Sequence, residues 1–92
     1  MLIYLICYDL EDDRLRDRAA KHLLRHGQRV QESVYEVWLR TPAQFKRFQR
    51  ELVQILPKSA NLRWYRLTEA GLADSGAADG NTPRKPPAAL IW

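Results

Sequence analysis

The chain opens with an apolar run that ends abruptly at a carboxylate. Residues 2–8 are all apolar or aromatic, and a polar segment begins at Asp9. The run is too short for a buried helix, so we predict a strand. Because strand side chains alternate between faces, both faces of this strand are apolar and both must be covered. Helices can cover one face, and in a chain of 92 residues we expect a second subunit to cover the other.

The basic surplus of the chain lies before residue 68. The formal net charge is +4, and residues 1–67 hold 13 Lys and Arg against 8 Asp and Glu. A basic folded domain often faces phosphate groups, which predicts a nucleic-acid partner. The alternative is a solvated surface that aids solubility.

Composition also bears on compartment. Cys7 is the only cysteine, so no disulfide can form within the chain, and its apolar neighbours predict a small core residue. The run at residues 2–8 is too short to cross a membrane and lacks the features of a signal peptide. We expect a cytoplasmic protein with no membrane partner.

The segment after Asp9 predicts a helix that runs to about His26. Asp12 or Asp13 can cap its start, and Gly27 suits the position just past its end. The predicted buried stripe comprises Leu15, Ala19, Leu23 and Leu24. The basic side chains at helical spacing on the opposite side are Arg14, Arg18, Lys21 and Arg25.

Residues 29–39 form the second predicted β segment, but their alternation is imperfect. One strand with a bulge and a short hairpin reversing near Glu32-Ser33 both fit. Thr41-Pro42 predicts the start of a second helix, which Pro57 ends. Residues 62–67 predict the last strand of a compact domain that spans residues 1–67.

The remaining residues differ in composition. Residues 68–87 are rich in Gly, Ala, Ser, Asp and Pro, which predicts a flexible linker. Residues 88–92 end in Leu-Ile-Trp, and we expect them to dock as an edge strand on the partner subunit or another protein. A frayed tail is the alternative.

The strand-end carboxylate is the first candidate for chemistry. Asp9 is either a turn or cap residue, or an oxygen ligand for Mg²⁺ or Mn²⁺. Such ions need only one or two protein carboxylates, and a two-fold dimer would bring two copies of Asp9 together. Asp12 and Asp13 are weaker candidates because one of them is needed as a cap.

Several side chains near Asp9 are further candidates. Arg16 and Arg18 would neutralise phosphate or stabilise a pentavalent transition state, or else pair with nearby acids. Arg29 and Tyr35 share a face if their strand is continuous, where they would meet a nucleic-acid backbone or simply be exposed. His22 and His26 have a metal-ligand spacing but no third ligand nearby, so we predict solvent-facing histidines.

Taken together, these residues resemble the small CRISPR-associated nuclease of spacer acquisition, the Cas-two family. The resemblance lies in Tyr8-Asp9 at the end of the first strand, Asp12-Asp13, and Arg14-x-Arg16-x-Arg18. It continues in Gly-Gln-Arg-Val-Gln-x-Ser-Val-Tyr-Glu at 27–36 and Arg63-x-Tyr65-x-Leu67. It covers about residues 1–67, and both segments in this order are specific.

The resemblance implies a fold and an assembly. The fold is α+β and ferredoxin-like, βαββαβ, with a homodimer formed through the sheets and the C-terminal strand added across the dimer. The fold requires a β reversal within residues 29–39.

The resemblance also implies a function and its residues. It implies a metal-dependent endonuclease of RNA or DNA that acts in antiviral spacer acquisition with the larger CRISPR integrase. The implied catalytic residues are Asp9, Tyr8, Arg16 and Arg18, with Mg²⁺ or Mn²⁺ held by Asp9. The implied nucleic-acid contacts include Arg29 and Tyr35, although the latter position is often Phe in the family. A non-catalytic DNA-binding bridge of the integration complex is the main alternative, and a generic ferredoxin-like RNA-binding module is a weaker one.

Overall fold

The computed structural model of the protein describes residues 1–80. The elements in chain order are β1 (Leu2–Cys7), α1 (Asp13–Leu24), β2 (Gly27–Gln31), β3 (Val34–Leu39), α2 (Pro42–Ile55), β4 (Arg63–Leu67) and α3 (Glu69–Ala73). A 3₁₀ turn at Lys58–Ala60 connects α2 to β4. The predicted order of strands and helices is therefore confirmed. β4 begins at Arg63, one residue after the start predicted for the last strand.

The four strands form one antiparallel sheet in the order β2-β3-β1-β4. β1 is central: Tyr4 lies opposite Val37 of β3 on one side and Arg66 of β4 on the other. Tyr4 and Ile6 point to the face on which α1 and α2 pack. This is the ferredoxin-like α+β fold, and it explains why the first strand is so apolar, since that strand is the centre of the sheet.

The segment at residues 29–39 is a hairpin and not a continuous strand. β2 and β3 are joined by a turn at Glu32-Ser33. The pairing register shifts between Arg29 and Gln31, which is a bulge and explains the imperfect alternation. Arg29 and Tyr35 are consequently partners across the hairpin. The sequence alone did not decide between one bulged strand and a short hairpin.

The first helix begins as predicted, but its buried face is rotated. The Asp12 carboxylate accepts a hydrogen bond from the Leu15 amide at 3.1 Å, so Asp12 is the cap. Ala19 and Leu23 are fully buried, whereas Leu24 is 52% exposed, so the prediction that Leu24 belongs to the core is wrong.

His22 takes the buried place instead, which corrects the prediction of a solvent-facing histidine. Its ring stacks on Phe48 of α2 with 4.9 Å between centroids, and Nε2 lies 3.2 Å from the Phe48 carbonyl oxygen. Nδ1 lies 3.6 Å from the Glu51 carboxylate. His26 is half-buried, with its ring edge against Phe48. The buried stripe of α1 therefore turns toward α2, where a histidine finds both an aromatic surface and polar partners.

The second helix has the predicted signals at both ends. The Thr41 hydroxyl accepts a hydrogen bond from the Gln44 amide at 3.1 Å, and the helix ends at Ile55, before Pro57. Its apolar face packs on the sheet, where Phe45 stacks on Tyr4 with 3.7 Å between ring centroids. This packing fixes the helical layer over the central strand.

The opposite face of the sheet has neither α1 nor α2 against it. This face carries three half-buried side chains of β1, those of Ile3, Leu5 and Cys7. The prediction that Cys7 is a core residue is therefore wrong. Tyr65 of β4 is 49% exposed there. Trp38 lies on the same side; it is buried, and its Nε1 has no hydrogen-bond partner among residues 1–80. An apolar sheet face of this kind suits a second subunit, and the dimer through the sheets stays a prediction.

The residues after β4 differ in part from the predicted linker. Glu69–Ala73 forms the short helix α3, whose start is capped by the Thr68 hydroxyl, so the prediction of a flexible linker is wrong for these residues. The predicted docking strand at residues 88–92 lies outside the described residues. None of the described helices is long and apolar enough to cross a membrane.

Candidate active site

Asp9 lies directly after Tyr8, in the connection between β1 and α1. Its amide donates a hydrogen bond to the Ala60 carbonyl oxygen at 2.7 Å, which fixes the backbone at this point. The side chain is exposed, and its carboxylate has no hydrogen bond or ion pair within residues 1–80. Asp9 is therefore an acid whose backbone is held by a hydrogen bond and whose carboxylate oxygens remain available; the cap of α1 is Asp12, and the alternative of a turn residue stays open.

The two acids that follow Asp9 have structural roles. Asp12 caps α1 through the Leu15 amide. Asp13 forms an ion pair with Arg16 one turn along the helix. Because both carboxylates are engaged, neither is as available to an ion as Asp9.

Tyr8, the residue before Asp9, packs with a second tyrosine, Tyr35. Tyr8 is 7% exposed, and its ring is nearly parallel to that of Tyr35, with 6.3 Å between centroids. Burial raises the pKa of the Tyr8 hydroxyl well above its usual range, and hydrogen bonding to Tyr35 raises it further. Arg29 and Arg16 act in the opposite direction through their charges. The raised pKa keeps Tyr8 neutral near pH 7, where its hydroxyl can donate a hydrogen bond.

Tyr35 corrects one sequence prediction. It is fully buried, so it does not offer a surface for direct contact with nucleic acid. Its hydroxyl instead accepts a hydrogen bond from Arg29 Nε at 2.9 Å, and the Arg29 guanidinium carbon lies 5.5 Å from the ring centre. The sequence reasoning missed this contact because it requires the hairpin pairing, which the alternation alone did not decide.

The two arginines of α1 that were predicted to be catalytic, Arg16 and Arg18, differ in their surroundings. Arg16 is half-buried, pairs with Asp13 and lies 3.9 Å from the Glu32 carboxylate. Arg18 is exposed and has no ion pair within the described residues. The alternative that these arginines pair with nearby acids is therefore confirmed for Arg16, whereas Arg18 is available for a phosphate.

The predicted basic side of α1 is exposed to solvent. Its members, Arg14, Arg18, Lys21 and Arg25, make no ion pair within residues 1–80. They line the outer surface of α1, on the helical side of the sheet. This exposed row of cations has the charge that a phosphate backbone requires.

A metal site within one chain is incomplete. Among residues 1–80, no group of three His, Cys, Asp or Glu side chains is arranged to hold an ion. Mg²⁺ and Mn²⁺ differ from zinc in that one or two carboxylates suffice when water and phosphate oxygens supply the rest. The available oxygens of Asp9 fit such an ion, and a second copy of the chain would supply the second carboxylate.

The fold and these side chains define a class of protein. It is a small ferredoxin-like α+β domain that carries an available carboxylate at the end of its central strand, close to a neutral tyrosine and several arginines. Residues 1–74 match the family model of the CRISPR associated protein Cas2. The chain belongs to the Cas2 family.

Related proteins agree with this assignment. The CRISPR-associated endoribonuclease Cas2 3 of Synechocystis is 36% identical over 92 residues, which is 99% of each chain. The chain also resembles a chain of a partial Cas6-RT-Cas1–Cas2 complex, with a TM-score of 0.76, 33% identity and full coverage of both chains. Streptococcus pyogenes Cas2 gives a TM-score of 0.72 at 28% identity, over 82% of this chain and 96% of that one.

Proposed function

We propose that the protein is a metal-dependent endonuclease that cleaves phosphodiester bonds of RNA or DNA. The observation that carries the proposal is Asp9, an exposed carboxylate without a partner within residues 1–80, held by its backbone at the end of the central strand. The curated relatives that match the chain are named endoribonucleases, which supports the same activity here.

Each residue has a role that follows from its surroundings. Two copies of Asp9, one from each subunit of a two-fold dimer, would hold Mg²⁺, which when bound activates water for attack on phosphorus. Arg18, which has no ion pair in the described structure, would stabilise the charge that develops on the phosphoryl oxygens. Arg16 would do so by exchanging its Asp13 partner for phosphate. Tyr8 would donate a hydrogen bond and position the strand end.

The test is nuclease turnover by highly purified protein with and without Mg²⁺. We expect Asp9→Asn to abolish cleavage while leaving the secondary structure and the oligomeric state unchanged, because the carboxylate has no hydrogen bond or ion pair within the described residues. Asp12→Asn is the matched control, since it alters a helix cap in the same segment and not the candidate ligand. Cleavage by Asp9→Asn at the rate of the unmodified chain would refute the proposal.

A second function is supported by the resemblance to a chain of a Cas1–Cas2 complex. In this alternative the protein is a non-catalytic bridge that holds DNA within an integration complex with Cas1. The exposed cations of α1 would bind the phosphate backbone, and binding would weaken steeply with salt.

The two functions are separated by an integration assay with Cas1. The bridge predicts that Asp9→Asn still supports integration, while changing Arg14, Arg18 and Arg25 to Glu abolishes it. Changing Lys46, Arg47 and Arg50 of α2 to Glu is the control for a general effect of charge. Normal integration by the α1 variant would refute the bridge.

A further inference from the structure

The contact between Arg29 and Tyr35 joins an exposed cation to a buried hydroxyl. Arg29 Nε donates to the Tyr35 hydroxyl at 2.9 Å, and Tyr35 is fully buried while Arg29 is exposed. The tyrosine is therefore fixed by the core around it, and it holds the arginine by one nitrogen. A solvated arginine without such a contact would populate more side-chain rotamers.

We propose that Tyr35 is a positioning residue that orients the Arg29 guanidinium toward a phosphodiester oxygen of bound nucleic acid. This inference rests on the nucleic-acid binding of the proposed function, and it adds the hydroxyl group that prepares Arg29 for it. Tyr35 touches neither the nucleic acid nor the metal in this arrangement.

The chemistry of the guanidinium group supports this division of roles. Arginine has five N–H donors in a rigid plane, and the Tyr35 hydroxyl occupies only the one on Nε. The two terminal nitrogens keep four N–H groups, which can meet two phosphate oxygens together. Because the side chain is already held at Nε, it loses less freedom when a phosphate binds.

The location of the contact supports it as well. Tyr35 pairs with Ile6 in the central strand, two residues before Tyr8. The Tyr8 amide donates to the Ser33 carbonyl oxygen at 3.2 Å, and the Tyr8 and Tyr35 rings lie 6.3 Å apart. The pair thus lies beside the end of β1, the end that carries Asp9. A phosphate held by Arg29 would therefore lie near the end of β1 that carries the candidate metal ligand.

The test is a double-mutant cycle on nucleic-acid affinity. Binding of the unmodified chain, Tyr35→Phe, Arg29→Ala and the double variant to a fluorescein-labelled DNA duplex and to a labelled single-stranded RNA is measured in EDTA, so that no cleavage is needed. We expect Tyr35→Phe to weaken binding by about 3- to 10-fold, the range for one hydrogen bond. In the Arg29→Ala background the same change should have no effect. Which probe responds identifies whether DNA or RNA supplies the phosphate.

Two controls keep the test decisive. Tyr4→Phe removes a hydroxyl from a tyrosine that packs on Phe45, and it should leave affinity unchanged. In the unmodified chain, NMR should show slower hydrogen exchange at Arg29 Nε than at Arg14 Nε, which makes no ion pair in residues 1–80.

Three outcomes would overturn this inference alone. The first is unchanged affinity of Tyr35→Phe, and the second is an equal loss with and without Arg29. The third is equal exchange at the two arginines. Failure of the unmodified chain to bind either probe would overturn the proposed function together with this inference, whereas the first three results would leave Asp9 and its metal untouched.

Discussion

Gly27 and Glu36 approach each other so closely that no side chain fits between them. A Cβ atom added at Gly27 would lie 1.9 Å from the Glu36 carbonyl oxygen and 2.7 Å from the Val37 Cα atom. Gly27 is therefore the first residue of β2, where it passes the backbone of β3, and the prediction that it caps the end of α1 is wrong. The glycine is required for space and not for an unusual backbone angle.

The first prediction concerns this contact. Gly27→Ala should lower the free energy of unfolding by about 1–3 kcal/mol, because the obstructing atoms are backbone atoms that move only with the strand. Urea denaturation followed by circular dichroism measures the change. Gly76→Ala is the control, since nothing lies within 4 Å of its added Cβ. Equal stability of the two variants would contradict this account of β2.

Local signals in the sequence predicted much of the fold. The carboxylate at Asp12, the Thr41-Pro42 pair and Pro57 mark helix ends because they act on the nearest backbone groups. The apolar run of β1 predicted a strand covered on both faces; the helices cover one face, and the second subunit expected on the other stays a prediction. These features need no information about distant residues.

The features that the sequence did not predict depend on contacts between distant elements. His22 is buried because α2 presents the Phe48 ring and the Glu51 carboxylate to it, and helical spacing within α1 contains neither. Tyr35 is fully buried in the core and therefore cannot make the direct contact with nucleic acid that was predicted for it. Its burial depends on how the helices pack on the sheet, which the sequence pattern does not show. In the candidate site, Asp9 followed from its position at a strand end, whereas the Arg29–Tyr35 contact required the register of the hairpin.

The second prediction concerns stability in mild acid. Burial lowers the pKa of His26 from its usual value, the charges of His22 and Arg25 lower it further, and Glu51 opposes them. The folded chain therefore binds this proton less readily than the unfolded chain. As the pH falls below about 6.5, the unfolded state gains protons first and the free energy of unfolding decreases.

A variant isolates this effect. We expect His26→Gln to lose less stability than the unmodified chain when urea denaturation is carried out at about pH 5 instead of about pH 8. The comparison within each protein removes the cost of the substitution itself. A loss in the variant as large as that in the unmodified chain would show that His26 does not titrate in this way.

The third prediction concerns the ionisation of Tyr8. Burial and its hydrogen bonding with Tyr35 raise the pKa of the Tyr8 hydroxyl, so it should remain protonated at about pH 10, where a solvated tyrosine is half ionised. Ultraviolet difference spectra of phenolate absorbance, taken for the unmodified chain and Tyr8→Phe, measure this. The two proteins should give the same phenolate signal at that pH. A larger signal from the unmodified chain would mean that Tyr8 ionises and could act as a base.

The fourth prediction concerns the central claim, that two subunits share one ion through Asp9. Among its described residues each chain offers the Asp9 carboxylate and no group of three ligands, and we propose that the Asp9 of a second chain supplies the other carboxylate. The most direct measurement is the stoichiometry of Mn²⁺ binding, by electron paramagnetic resonance of the ion with increasing protein concentration. We predict one ion bound per two chains and none with Asp9→Asn, with Asp12→Asn binding as the unmodified chain does. One ion per chain, or undiminished binding by Asp9→Asn, would contradict the account.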